Sequence, residues 1–259
     1  MTIFAASSVH GSNINLITDH SKKRTETIDG IPYVYVKTDT YEGNGKARII
    51  NMFQFARRLP AVCRDFPKPA AILASSATPV ACMAGIKLAK IYKCRCIAEI
   101  SDLWPESFVS YGLISKKNPF LKLMYAYEKK MYKRADKIIF TMAGGKDYII
   151  EKGWDYEHGG PIDLNKIYHI NNGVDLEIFD YNKKNYITND EDIEDGSAFK
   201  VVYVGSINSA NKVEKIFKVA QLLKKQNIKF LIWGRGNQLE VLRQRATNMF
   251  LHNVIFKGY

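Results

Sequence analysis

Residues 70–100, AAILASSATPVACMAGIKLAKIYKCRCIAEI, read as one βαβ unit. Residues 70–74 and 96–100 are short apolar runs of strand length, and residues 79–92 between them carry apolar side chains at helical spacing. A strand, a helix and a second strand in that order place the two strands parallel in one sheet. The same alternation runs outward in both directions. Strands are predicted at 2–6, 33–37, 137–141, 166–170, 200–204, 229–233 and 253–257, and helices at 46–66, 119–134, 144–152, 211–226 and 238–248. No internal repeat or low-complexity tract interrupts them, so the chain is predicted to be α/β with parallel sheets.

Length and composition are compatible with that fold. At roughly 100 to 200 residues per domain, 259 residues make one large domain or two small ones. Hydrophobic residues are 46% and charged residues 25%, which excludes a collagen-like, disordered or disulfide-stapled chain. One shift in composition marks a boundary: from Asp180 to Ala198 the chain carries Asp190, Glu191, Asp192, Glu194 and Asp195 with hardly an apolar residue. We read residues 180–198 as an acidic polar linker between a first domain, 1–179, and a second, 199–259.

Lys and Arg number 38 against 26 Asp and Glu, a formal charge of +12, which favours an anionic partner such as phosphate, nucleic acid or a membrane surface. Residues 200–259 hold eleven Lys or Arg against Glu214 and Glu240 alone, so the second domain is the more basic. Residues 116–137 add eight basic side chains interleaved with Phe120, Leu121, Leu123, Met124, Tyr127 and Met131. Such a helix either lies on anionic lipid or turns its apolar stripe to the core, and periodicity alone leaves both open. No window nears the roughly 20 apolar residues that a bilayer crossing needs, so membrane contact is expected to be peripheral. Met1 is followed by no secretory leader, which predicts a cytoplasmic location. Of the four cysteines, Cys94 and Cys96 form a pair without a second Cys or His pair at ligand spacing, so they are expected to be thiols and no metal site is expected.

Four segments could carry chemistry. Val201 to Asn208 reads as a buried strand ending in Gly205, then a polar loop toward a helix near Asn211, where backbone N–H groups and the helix dipole suit a diphosphate. Gly234 and Gly236 flank Arg235 between a strand and a helix; the glycines would let a ligand approach the backbone and the arginine would meet phosphate or base. Asp102, Trp104 and Glu106 follow directly after the strand at 96–100, with carboxylates able to act on a hydroxyl and an indole able to pack on a sugar face. Asn172-Gly173 is the local signature of a turn with positive φ. For each of these the plain structural reading, a turn or a helix cap, stays open.

In order along the chain, IAEISDLWPES (97–107), YKRADKII (132–139), INNGVD (170–175), VYVGS (202–206) and GRG (234–236) resemble the family 4 glycosyltransferases of the GT-B fold, closest to a bacterial branch with an RDLWPES segment that serves surface-polysaccharide and O-antigen assembly. The resemblance implies two Rossmann-like domains, with acceptor bound by the first and a nucleotide diphosphate sugar by the second, and metal-independent transfer with retention of configuration. It implies that Asp102 and Glu106 are catalytic groups on the acceptor side and that Asn172 and Gly173 line the cleft. Gly205, Ser206, Asn208 and Lys212 would approach the donor diphosphate, and Gly234, Arg235 and Gly236 the nucleotide.

The chain departs from the family pattern in five places. Ser206 stands where many members have arginine, and Asn211 or Lys212 where they have lysine. Ser101 stands for a histidine. The usual first β-α unit and the later glutamate pair have no counterpart, so the first domain is expected to lack that unit and the second to be partial. The function expected is transfer of a hexose or N-acetylhexosamine-type sugar to a lipid-linked or glycan acceptor, with no cofactor beyond the nucleotide sugar. A second reading is a truncated, noncatalytic fragment that binds a partner or membrane through its basic surface. No nucleic-acid module is recognisable, and no nucleic-acid partner is expected.

Overall fold

The computed structural model describes residues 1–10, 12–43 and 45–258, in two units, Met1–Gly173 and Val174–Tyr259. The first unit runs β1 (Ile3–Ala6), β2 (Lys23–Ile28), β3 (Ile31–Val36), α1 (Lys46–Cys63), β4 (Ala71–Ser75), α2 (Pro79–Tyr92), β5 (Arg95–Ile100), α3 (Glu106–Ser110), α4 (Phe120–Arg134), β6 (Lys137–Phe140), α5 (Gly145–Glu151) and β7 (Ile167–His169). The second runs α6 (Leu176–Asn185), α7 (Glu191–Glu194), β8 (Phe199–Val204), α8 (Lys215–Leu222), β9 (Ile228–Trp233), α9 (Leu239–Asn248) and β10 (Val254–Gly258).

The predicted βαβ unit opens a four-stranded parallel sheet in the order β4-β5-β6-β7. Thr78 caps α2, its Oγ1 accepting from Ala81 N at 3.1 Å, and Pro79 sits where a missing N–H costs nothing. Gly85 lets α2 come down on β4: a Cβ there would lie 2.7 Å from Ala74 Cβ. The core joins Ala98, Ile100, Ile138 and Phe140 of the strands to Cys82 and Ile86 of α2, Met131 and Tyr132 of α4 and Ile149 of α5. Each large apolar side chain buried there contributes about 1.5–3 kcal/mol.

The first unit's strands do not all join that sheet. β1 pairs parallel and β2 antiparallel with β3, giving a separate mixed sheet in the order β1-β3-β2. β2 was absent from the sequence reading; it is polar on both faces, and it is folded back by Asp29 and Gly30, whose φ values of 49° and 74° are those of a type I′ hairpin turn. β1 and β4 are both end strands, and no backbone hydrogen bond links them among the described residues. A cavity of about 420 Å³ touches both, lined by Phe4, Ala6, Asn51, Phe55, Ser75 and Thr78 among others. Packing of α1 on α2 holds the two sheets together through buried Val34, Val36, Leu59, Val62, Ala84 and Leu88.

In the second unit β10-β9-β8 form a parallel sheet, and Phe217 and Ala220 of α8 with Leu242 and Ala246 of α9 bury Phe230, Ile232 and Val254. β8 was expected to be buried. It is an end strand, and Val204 is 76% exposed. α8 starts at Lys215, later than the predicted Asn211, because residues 209–211 close a 3-10 turn and Lys212 takes a left-handed φ of 51°.

The segment read as an acidic linker is structured and belongs to the second unit, which begins at Val174. Asp190 caps α7, accepting from the amides of Asp192 and Ile193. Lys229 of β9 reaches Asp192 at 2.8 Å and Asp195 at 2.9 Å, and Lys257 of β10 reaches Asp190 at 2.9 Å and Asp192 at 2.8 Å. The aspartates therefore serve as counter-charges to the sheet's lysines, which an acidic run viewed alone does not disclose. No helix among the described residues is long and apolar enough to cross a membrane.

Candidate functional site

In the second unit the structure brings two of the predicted segments together at the carboxyl ends of β8 and β9. Gly205 N donates to Trp233 O at 3.0 Å, Ile207 N to Arg235 O at 2.9 Å and Gln238 N to Ile207 O at 3.0 Å. Asn208 Oδ1 accepts from Asn237 N at 3.2 Å. The glycines serve this loop-to-loop contact. A Cβ on Gly234 would stand 1.8 Å from Gly205 O, and one on Gly236 2.3 Å from Ile207 O. Their φ values add to the requirement: Gly205 is at 158° and Gly234 at 150°. Besides the ligand approach expected of them, the glycines admit the neighbouring loop's backbone.

Ile207 is buried and anchors the paired loops, leaving Ser206, Asn208, Lys212 and Arg235 exposed around them. Tyr203 Oη donates to Ser206 O at 2.8 Å and fixes the turn after β8. Two cationic and two neutral polar side chains on a rigid pair of loops at a sheet's carboxyl edge make a surface for an anionic, hydrogen-bonding ligand. The helix N-terminus expected to help is displaced: α8 begins only after the left-handed Lys212.

In the first unit, Asp102 follows β5, is exposed, and has no hydrogen-bond or ion-pair partner among the described residues. Trp104 packs edge-on against Phe108 with ring centroids 4.3 Å apart, and its Nε1 is shielded without a partner among the described residues. Glu106 opens α3, and its Oε2 accepts from Tyr125 Oη and Lys152 Nζ, both at 2.7 Å. Burial alone would raise the Glu106 carboxyl, but these two partners outweigh it and hold it below the ordinary carboxylate value. Asp102 and Glu106, paired as candidates in the sequence, are therefore unlike: the first is a free carboxylate, the second one arm of an ion pair.

Lys152 and Tyr125 escaped the sequence reading because they meet Glu106 from 46 and 19 residues away with no local motif. The Lys152 ammonium also lies 4.2 Å from the Tyr125 ring centroid and 5.3 Å from that of Tyr148. Around the pair opens a cavity of about 550 Å³, lined in part by Lys116, Lys117, Lys122 and Lys152. Behind it Glu128 is 1% exposed, its carboxylate accepting from Tyr132 Oη at 2.7 Å and Tyr148 Oη at 2.8 Å. Burial pushes the Glu128 carboxyl up to about 7.

Asn172 and Gly173 are exposed in an extended stretch after β7, and neither has the positive φ that the Asn-Gly pair predicted. The next helix explains the local sequence instead: Asp175 caps α6, accepting from Ile178 N at 3.0 Å. Cys96 and Cys82 are buried thiols, each pushed up to about 12 chiefly by burial.

Residues 10–178 match the profile of Glycosyltransferase Family 4. No curated protein matches the sequence. Among solved structures, HepE of Anabaena, crystallised with UDP-glucose, superposes with a TM-score of 0.52 at 16% identity over 89% of this chain and 56% of its own. A UDP-glucosyltransferase from Polygonum tinctorium, capable of glucosylating indoxyl, gives 0.52 at 13% identity over 100% of this chain and 71% of its own. TarM gives 0.51 at 14% identity over 79% and 36%. The chain thus spans little more than half the length of HepE. These likenesses show the fold, α/β with parallel-strand units of the GT-B type.

Proposed function

The chain belongs to glycosyltransferase family 4, and from that premise we propose that it transfers a hexose or N-acetylhexosamine-type sugar from a nucleotide diphosphate sugar to a lipid-linked or glycan acceptor in surface-polysaccharide synthesis. The paired loops after β8 and β9 carry this reading. They hold Ser206, Asn208, Lys212 and Arg235 exposed at the carboxyl edge of a parallel sheet, where nucleotide ligands bind. Lys212 and Arg235 would stabilise the charge that develops on the departing nucleoside diphosphate, a task that needs no metal ion when cationic side chains supply it. Gly205, Gly234 and Gly236 act through the loop contact that sets those side chains in place.

On the first unit, Asp102 is the carboxylate available to an acceptor hydroxyl, as base or hydrogen-bond acceptor. Glu106 is bound to Lys152 and Tyr125 and acts by holding the end of α3 and the lysine-lined cavity in shape. The chain would work at the cytoplasmic face of a membrane that presents the acceptor. Calorimetric titration with UDP-glucose, UDP-N-acetylglucosamine and GDP-mannose tests the donor side. Saturable binding of at least one, weakened at least 10-fold by Arg235→Ala, is expected; a folded chain that binds none of the three overturns the assignment.

A further inference from the structure

The side chains behind Glu106 carry an inference about how the acceptor side is regulated, which rests on the reading of Asp102 as the carboxylate that meets an acceptor hydroxyl. The segment after Asp102 holds together as one short unit: Ser107 N and its Oγ both donate to Leu103 O at 2.8 Å, and Trp104 packs on Phe108. Glu106 ties that unit to its neighbours through Tyr125 of α4 and Lys152 at the C-terminal end of α5. Lys152 has a second carboxylate within reach. Its ammonium lies beside the rings of Tyr125 and Tyr148, and the Tyr148 hydroxyl donates to Glu128 Oε2 at 2.8 Å. Of the charged groups that face the buried Glu128, Lys152 favours its ionised form and Glu106 opposes it. Its other titratable neighbours are neutral. Tyr132 of α4 and Tyr148 of α5, both raised first by burial and then by Glu128, remain hydroxyls, and the Cys82 thiol of α2, within electrostatic reach of Tyr132, is pushed up to about 12. Lys116 adds a weaker attraction for Glu106. Two carboxylates therefore compete for the Lys152 ammonium.

We propose that Lys152 is a positioning residue shared by Glu106 and Glu128, so that the proton on Glu128 sets how firmly residues 102–110, with Asp102 at their head, are held. With Glu128 protonated, Lys152 serves Glu106 alone and the segment is fastened. With Glu128 ionised, its charge draws Lys152 toward Tyr148 and repels the Glu106 carboxylate, and the segment loosens. Burial places the change in the neutral range, at about 7. The acceptor side is therefore set for use below that value and released above it.

Fluorine NMR of the whole chain labelled with fluorotryptophan tests the proposal without a substrate. The three tryptophans divide the task. Trp154, packed on Tyr132 and Tyr148, reports on Glu128; Trp104 reports on the segment; Trp233 of β9 is the control. Between about pH 5 and about pH 9, the Trp154 and Trp104 lines are expected to move together with one midpoint at about 7, and both should lose that movement in Glu128→Gln. Lys152→Met should separate them, with Trp154 still titrating and Trp104 flat, and Lys152→Arg, which keeps the charge, should restore the Trp104 titration. Lys152 is partly exposed, so this pair of variants decides the matter even if Glu128→Gln does not fold. The proposal is overturned by a Trp104 line that stays flat in the wild type, whether or not Trp154 moves, by one that titrates undiminished in Lys152→Met, or by lines unchanged in Glu128→Gln. A flat Trp104 line in a chain that binds a nucleotide sugar sinks the Lys152 coupling alone; a titrating Trp104 in a chain that binds none sinks the transfer reading alone.

Discussion

Glu128→Gln will flatten the pH dependence of the first unit's stability. The wild-type carboxyl is pushed from its ordinary 4.5 to about 7, first by burial, with the hydrogen bonds from Tyr132 and Tyr148 opposing. Below the unfolded value both states hold the proton, and the group leaves stability unchanged. Between 4.5 and about 7 the native state keeps a proton that the unfolded chain has released, so stability falls as pH rises; above that window the loss is complete. At about 1.4 kcal/mol per pH unit, the window amounts to roughly 3 kcal/mol. Glutamine keeps the shape, offers its carbonyl to one tyrosine hydroxyl and its NH₂ to the other, and does not titrate. Urea unfolding of both proteins at about pH 5 and about pH 8 isolates the effect, because every other titrating group is common to the pair. Tryptophan fluorescence is the readout, since the Trp154 ring lies 5.8 Å from that of Tyr148. The stability difference should move by roughly 2–3 kcal/mol in favour of the variant at the higher pH. Parallel profiles would refute the account of Glu128 as a buried, reluctantly ionised group.

Further predictions concern the second unit and the acceptor side. Gly234→Ala, which sets a methyl 1.8 Å from Gly205 O, should cost several kcal/mol and abolish nucleotide-sugar binding, while Gly173→Ala, with open space around it, should leave the denaturation midpoint unchanged. The aspartates of the α7 network are held below their ordinary value, chiefly Asp190 by Lys257 and Asp192 by Lys229. Their contribution is present above pH 4 or so and is lost on acidification, and Asp192→Asn should erase part of that acid sensitivity in thermal melts. Asp102→Asn should lower sugar transfer at least 10-fold at an unchanged thermal midpoint; unchanged turnover would remove Asp102 from the site.

The elements legible in the sequence are those whose local chemistry and tertiary setting agree. α2 has Thr78 and Pro79 to start it and an apolar face to bury, and β5 and β6 alternate with helices as a parallel sheet requires. β2 was missed because Lys-Arg-Thr-Glu-Thr-Ile offers no apolar face, although Asp29-Gly30 beside it was a hairpin signal. β8 was misplaced for the opposite reason: its valines look like core, and only the sheet order shows it to be an end strand. At the candidate sites, turn chemistry located Gly205 and Gly234, while the loop-to-loop contact they permit is a tertiary fact with no local sequence signal. The Glu106–Lys152 pair has no sequence signal at all, and the Asn172-Gly173 turn dissolves because Asp175 recruits the following residues into α6.

The absent ladder between β1 and β4 also governs how the first unit opens. A continuous sheet spreads any local rupture along its rungs, whereas here the mixed sheet and the parallel sheet communicate through interdigitated side chains of α1 and α2 and a few bonds such as that from Tyr92 Oη to Cys63 O. The β1-β3-β2 sheet can therefore detach as a foldon while β5 and β6 stay closed, and its amides exchange with solvent through that cheaper excursion. One unit by its contacts, the first 173 residues should then open in two steps, with amides of β1–β3 exchanging before those of β5 and β6.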